Sequence, residues 1–105
     1  MTYIIPSVYM SKYPCVYILA SRPHGVLYIG VTANILRRGY EHQNELYEWF
    51  TQKYHVHRLV YFENHETFDE AFKRESNLKA WRRDWKDKLI EKENPEWKDL
   101  YDDFV

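Results

Sequence analysis

Two short apolar segments, Cys15–Ala20 and Val26–Val31, are rich in β-branched and aromatic residues and are separated only by Ser21-Arg22-Pro23-His24-Gly25. No other feature constrains the fold as much. The spacer is turn chemistry. It is too short for a crossover, so the two segments form an antiparallel hairpin. A bare hairpin is marginal in water, so the rest of the chain has to cover it.

The downstream sequence supplies that cover. Thr32 or Asn34 can cap a helix from Ile35 to about Gln43, although Gly39 inside it costs about 1 kcal/mol relative to Ala. Residues 45–54 read as a second, shorter helix, and Arg58–Glu63 as a third strand. Thr67 and Glu70 have capping-box spacing. They open a long helix expected from Phe68 to about Trp85, extending as far as Glu91. Asn94-Pro95 stops it, because a residue before proline is pushed out of the α region. The order predicts an α+β domain with a small three-stranded antiparallel sheet flanked by helices. A length of 105 residues suits one domain, 14–105, after a poorly specified lead-in over 1–13.

Composition removes several alternatives. With 45% hydrophobic residues the chain is not disordered throughout. No apolar run is long enough to span a membrane, and the N-terminus lacks the pattern of a secretory signal. The single cysteine, Cys15, excludes an intramolecular disulfide and suits a reducing, cytoplasmic setting. The net charge of −1 lacks the basic footprint of a typical nucleic-acid binder. The charge is segregated, however. Residues 73–92 carry eight basic and four acidic residues, whereas 93–105 carry one and five. A local basic surface is compatible with the neutral total.

Several residues stand out chemically. On the long helix, Phe68, Ala71, Phe72, Leu78 and Leu89 fall on one stripe, with Glu75 near its middle. An inward carboxylate needs a partner. It is a buried ion pair or a stripe edge that reaches water, or it is a metal ligand or general base. On the first helix, Ile35, Arg38 and His42 share a face, which is either solvated or an anion site. In the hairpin, any odd register sum puts Tyr17 and Tyr28 on the same sheet face, and a sum of 45 sets them directly opposite. Both can be packing residues. Gly30 weakens its strand and marks a close approach of backbone or ligand. Trp81 and Trp85, at helical spacing, read as packing rather than base stacking. Lys79, Arg82, Arg83, Lys86 and Lys88 form either a phosphate track or a solvated face, with Arg37 and Lys53 as weaker backbone contacts.

Together these segments resemble the GIY-YIG nucleases over about residues 14–100. Cys15-Val16-Tyr17 matches the first motif, with cysteine at its glycine, and Tyr28-Ile29-Gly30 matches the second. Arg38-x-x-x-His42 is similar to the family's helix motif, and Arg74-Glu75 to the start of its metal-binding helix. Trp81-Arg82-Arg83 and Asn94-Pro95-Glu96-Trp97 resemble the small stand-alone bacterial members. The resemblance implies a hydrolase, a metal-dependent phosphodiesterase acting as a DNA endonuclease, structure-directed or weakly sequence-specific. Glu75 would hold Mg²⁺ or Mn²⁺, Arg38 would bind the phosphate, and Tyr17 would activate water. Tyr28 would position water or phosphate, and His42 would assist proton transfer or orient Tyr17. Asn94 is similar to a late asparagine of the family. The implied partners are DNA, branched or single-stranded as in repair or recombination, and a protein that supplies specificity. Two other readings suit the same residues: a nucleic-acid-binding module with little cleavage, and a protein-interaction domain.

Overall fold

The computed structural model describes residues 14–43 and 53–104. The lead-in over 1–13 and most of the helix expected over 45–54 lie outside the described residues. Strand β1 (Cys15–Ala20) is the middle strand of an antiparallel sheet, between β2 (Leu27–Thr32) and β3 (Arg58–Asn64). Every residue of β1 is at most 1% exposed. A strand buried on both faces needs a layer on each side. Helices α2 (Phe68–Ala80) and α3 (Arg83–Glu93) form one layer, packing Ala71, Leu78 and Ile90 on Val16, Ile18 and Ala20. Helix α1 (Ile35–Gln43) and a 3₁₀ turn (Leu100–Phe104) form the other, packing Ile35 and Tyr101 on Cys15, Tyr17 and Leu19. Among the described residues no helix is long and apolar enough to cross a membrane.

The β3 edge and the hairpin tip are shaped by specific contacts. The β1–β3 ladder shifts register between Ile18 and Leu19, leaving Val60 as an extra residue in β3. The C-terminal segment then covers the outer side of β3. The Asn94 side chain donates to the Val60 carbonyl at 3.1 Å, and the Leu59 amide donates to the Asp99 carboxylate at 3.2 Å. Asn94 is buried and also accepts from the Lys98 amide at 3.0 Å, so it serves the fold. At the hairpin tip, His24 has φ 59°, the left-handed region that favours glycine. Its ring packs on Trp97 at 4.8 Å and lies 3.5 Å and 3.3 Å from the Asp87 and Glu91 carboxylates. Arg83 donates to the Gly25 carbonyl at 2.7 Å. These contacts dock the hairpin onto α3.

The expected long helix is instead two helices. Trp81 and Arg82 are extended (ψ 151° and 154°) and separate α2 from α3. Geometry supplies the reason. On one straight helix, Ile90 would stand roughly 120° around the axis from Leu78, at about 100° per residue. The sheet could not bury both. A helix over 68–93 would also run about 39 Å, against a longest molecular dimension of 35 Å. The expected stripe is narrower too. Ala71 and Leu78 are buried, but Phe68 and Phe72 are 44% and 52% exposed and stack on each other at 5.8 Å.

A half-buried carboxylate, Glu63 on β3, ties α2 to the sheet. It accepts from the Tyr61 hydroxyl at 2.5 Å, from Arg74 Nε and Nη2 at 3.0 and 3.2 Å, and lies 2.6 Å from His65 Nε2. Burial alone would raise its pKa. Bonds from Tyr61, Arg74 and His65 outweigh that and hold it below the usual carboxylate range. Burial and the Glu63 charge push the Tyr61 phenol well up. A carboxyl lowered on folding stabilises the fold above its unfolded pKa, near 4.3, and loses that contribution as pH falls through the lowered value. Acid titration of stability, followed by urea melts, should therefore steepen below about pH 4.3. Glu63→Gln should flatten that region and lower neutral-pH stability by roughly 1–3 kcal/mol, since it leaves Arg74 without its anion. An unchanged acid profile in Glu63→Gln would refute the assignment.

Candidate active site

The β1–β2 register sums to 47, so Tyr17 faces Gly30 and Leu19 faces Tyr28. The sum of 45 that would set the two tyrosines directly opposite is not adopted. The sum is still odd, and Tyr17 and Tyr28 are diagonal neighbours on one sheet face, with ring centroids 6.2 Å apart. Their spacing depends on Gly30. A Cβ there would stand 2.6 Å from the Tyr17 hydroxyl oxygen and 2.8 Å from its Cζ, so the Tyr17 ring lies across the glycine. The Cys15 position, by contrast, does not need a glycine. Its φ is not positive, its side chain is buried, and burial pushes its thiol up to about 12.

Arg38 comes from α1, which starts directly after β2. Asn34 caps it by accepting from the Arg37 amide at 3.0 Å, and Thr32 in turn accepts from the Asn34 amide at 3.1 Å. Buried Ile35 roots the helix on the sheet. Arg38 is thereby aimed at the tyrosines. Its Nη1 donates to the Tyr17 oxygen at 3.2 Å, and its Nε is 3.5 Å from the Glu41 carboxylate. His42 follows one turn later in α1, and its side chain lies outside the described part. Arg37 is exposed.

Glu75 does not occupy the middle of a buried stripe. It lies on a flank of α2, with its side chain 20% exposed and its carboxylate 3.5 Å from the Lys79 ammonium. Arg74, on the other flank, reaches β3 through Glu63. Lys79 borders a depression with Leu27, Tyr28 and Ile29, so the Glu75 flank is the one turned to β2. Tyr17, Tyr28 and Arg38 therefore stand together in one layer. Glu75 belongs to the opposite layer, on the side of the β2 edge. The other basic candidates are mostly engaged. Arg82 pairs with Asp84 at 3.0 Å and lies over the Trp85 ring, and Arg83 binds Asp87 at 2.8 Å as well as Gly25. Lys53 lies over the Tyr54 ring.

The donor set bears on a metal. Among the described residues no three His, Cys, Asp or Glu side chains form a cage. Mg²⁺ does not need one, since it keeps several waters and takes one or two carboxylates. The partly exposed Glu75 carboxylate suits that mode. Sequence reasoning missed Glu63 and His24. Tyr61 and Glu63 share a strand face by alternation, which is a readable signal. Their partner Arg74, eleven residues on, leaves none.

The described residues form a small α+β domain with a tyrosine pair over a strand glycine and an arginine delivered by the next helix. The GIY-YIG catalytic domain family matches residues 13–94, and the chain belongs to that family. Its domain type is that of nucleases acting on nucleic acid. No curated protein and no solved structure gives a significant match.

The Gly30 contact makes a prediction independent of activity. Gly30→Ala should cost about 1–3 kcal/mol by overpacking. In a Tyr17→Leu background, which removes the ring, the same substitution should cost clearly less. Urea melts of the four proteins give the coupling, and additive costs would exclude the contact.

Proposed function

We propose that this domain is a divalent-metal-dependent endonuclease that hydrolyses phosphodiester bonds in DNA, structure-directed or weakly sequence-specific. The observation that carries this reading is the Arg38 guanidinium donating to Tyr17 beside Tyr28, held by Gly30 and a capped helix. An arginine fork suits a phosphate, and its fixed charge offsets negative charge that builds on the phosphate oxygens. Glu75 would hold the metal ion, with Mg²⁺ or Mn²⁺ matching its hard oxygen donor. When bound, such an ion polarises the phosphate and stabilises the leaving oxygen. Tyr28, partly exposed, meets the phosphate or the attacking water. His42 assists proton transfer from α1.

Tyr17 is fully buried, with Arg38 on its oxygen. Water activation by that oxygen requires the site to open to water, and the Arg38 bond leaves the phenol a further acceptor position. If Tyr17 instead only positions Arg38, the double variant Tyr17→Phe/Arg38→Ala should cleave no more slowly than Arg38→Ala. If it activates water, Tyr17→Phe should abolish cleavage by itself.

The deciding experiment incubates supercoiled plasmid, single-stranded DNA and branched DNA with Mg²⁺, Mn²⁺ or EDTA. Wild type should cleave only with metal. Arg38→Ala should lose about 10²–10³ in rate with the fold intact. Glu75→Gln should abolish cleavage with almost no change in melting temperature, because its partner Lys79 is a largely exposed lysine. Metal-independent binding without cleavage by wild type would replace the nuclease reading with that of a binding module. A large melting loss in Glu75→Gln would make Glu75 structural.

A further inference from the structure

The depression beside Tyr28 has a lining that the catalytic reading leaves unused. It is lined by apolar Leu27 and Ile29, by Tyr28, and by the two lysines Lys79 and Lys86. Its volume of about 400 Å³ falls among ordinary small-ligand sites, roughly 300–1,000 Å³. The Lys86 ammonium donates to the Lys79 carbonyl, at the end of α2, at 3.3 Å. That carbonyl end carries partial negative charge and suits a cation. Two ammonium groups thus border one small apolar space. Among the described residues, the Glu75 carboxylate lies 3.5 Å from the Lys79 ammonium. An anion joined to a flat apolar group complements this lining, and a nucleotide has both parts.

We propose that this depression seats one unpaired nucleotide of the substrate strand, its base on Leu27 and Ile29 and its phosphate between Lys79 and Lys86. The inference rests on the nuclease reading for the identity of the strand. Tyr28 belongs both to the depression and to the tyrosine pair, so the seated nucleotide neighbours the phosphate at Arg38. Leu27 and Ile29 point to the α2 layer and Tyr28 to the α1 layer, so the strand would wrap the β2 edge. A base stacked within a duplex cannot offer its face to such a lining, whereas an unpaired base can. The domain would therefore favour DNA that offers an unpaired base, with no need to read sequence.

Fluorescence anisotropy in EDTA tests this without relying on cleavage. The probes are a blunt duplex, the same duplex with a single-stranded flap, and that flap with abasic sites in its first positions. Wild type should prefer the intact flap over the abasic flap by about fivefold or more. Leu27→Ala should shrink that ratio towards one. Lys86→Ala should weaken flap binding and lower the salt slope by about one, and Lys86→Arg should restore both. Melts confirm that each variant is folded. Equal affinity for intact and abasic flaps, or an unaltered salt slope in Lys86→Ala, would overturn the proposal. Base-selective binding with no metal-dependent cleavage would keep the seat and remove the nuclease reading. Cleavage without base selectivity would do the reverse.

Discussion

The complete burial of β1 governs this structure. Six consecutive residues, each at most 1% exposed, leave the sheet no face to turn to water. Two separate layers must therefore be recruited from a short chain. The sequence after the hairpin divides accordingly. Ile35 and Tyr101 serve one face, and Ala71, Leu78, Ile90 and Trp97 serve the other. The candidate site inherits this division, because its tyrosines and arginine belong to one layer and its glutamate to the other. Such a site has to bridge the layers around an edge of the sheet. The β3 edge is covered by Asn94 and Asp99, which leaves the side of β2.

The rotation of α2 about its axis follows from a contact remote from the tyrosines. Arg74 grips Glu63 with two nitrogens, on the β3 side of the helix. The next residue, Glu75, is turned by about 100° and so faces the opposite flank. Ala71, fully buried, lets the helix approach the sheet closely enough for that grip. The neighbouring Arg-Glu pair thus divides its work. One residue fixes the helix and the other is presented by it.

Much of this was legible in the sequence, where local rules operate. The bounds of β1 and α1, the Asn34 cap, the Thr67 cap and the shared face of Tyr17 and Tyr28 all follow from turn chemistry, capping and alternation. The failures share a cause. No glycine or proline marks the break at Trp81-Arg82, which exists because one straight axis cannot bury both Leu78 and Ile90. Phe68 and Phe72 fit the apolar stripe by periodicity yet stack on each other outside it, because small Ala71 makes the contact. Glu75 was placed mid-stripe on that same wide stripe. The Val60 bulge and the Glu63 cluster depend on which segments meet, and no local pattern carries that information.

The covering of β3 bears on where this domain can be divided. The family match ends at residue 94, but the groups that occupy the outer side of β3 continue through Asp99 and Tyr101. Trp97, fully buried, fills the core beneath α3. A chain cut at the end of the match would bare a strand edge and remove an aromatic from each core. An edge in that state pairs with whatever strand is nearest, most often another copy. The smallest unit that keeps both cores closed is therefore longer than the region that defines the family, and Trp97, Asp99 and Tyr101 protect the domain from its own neighbours.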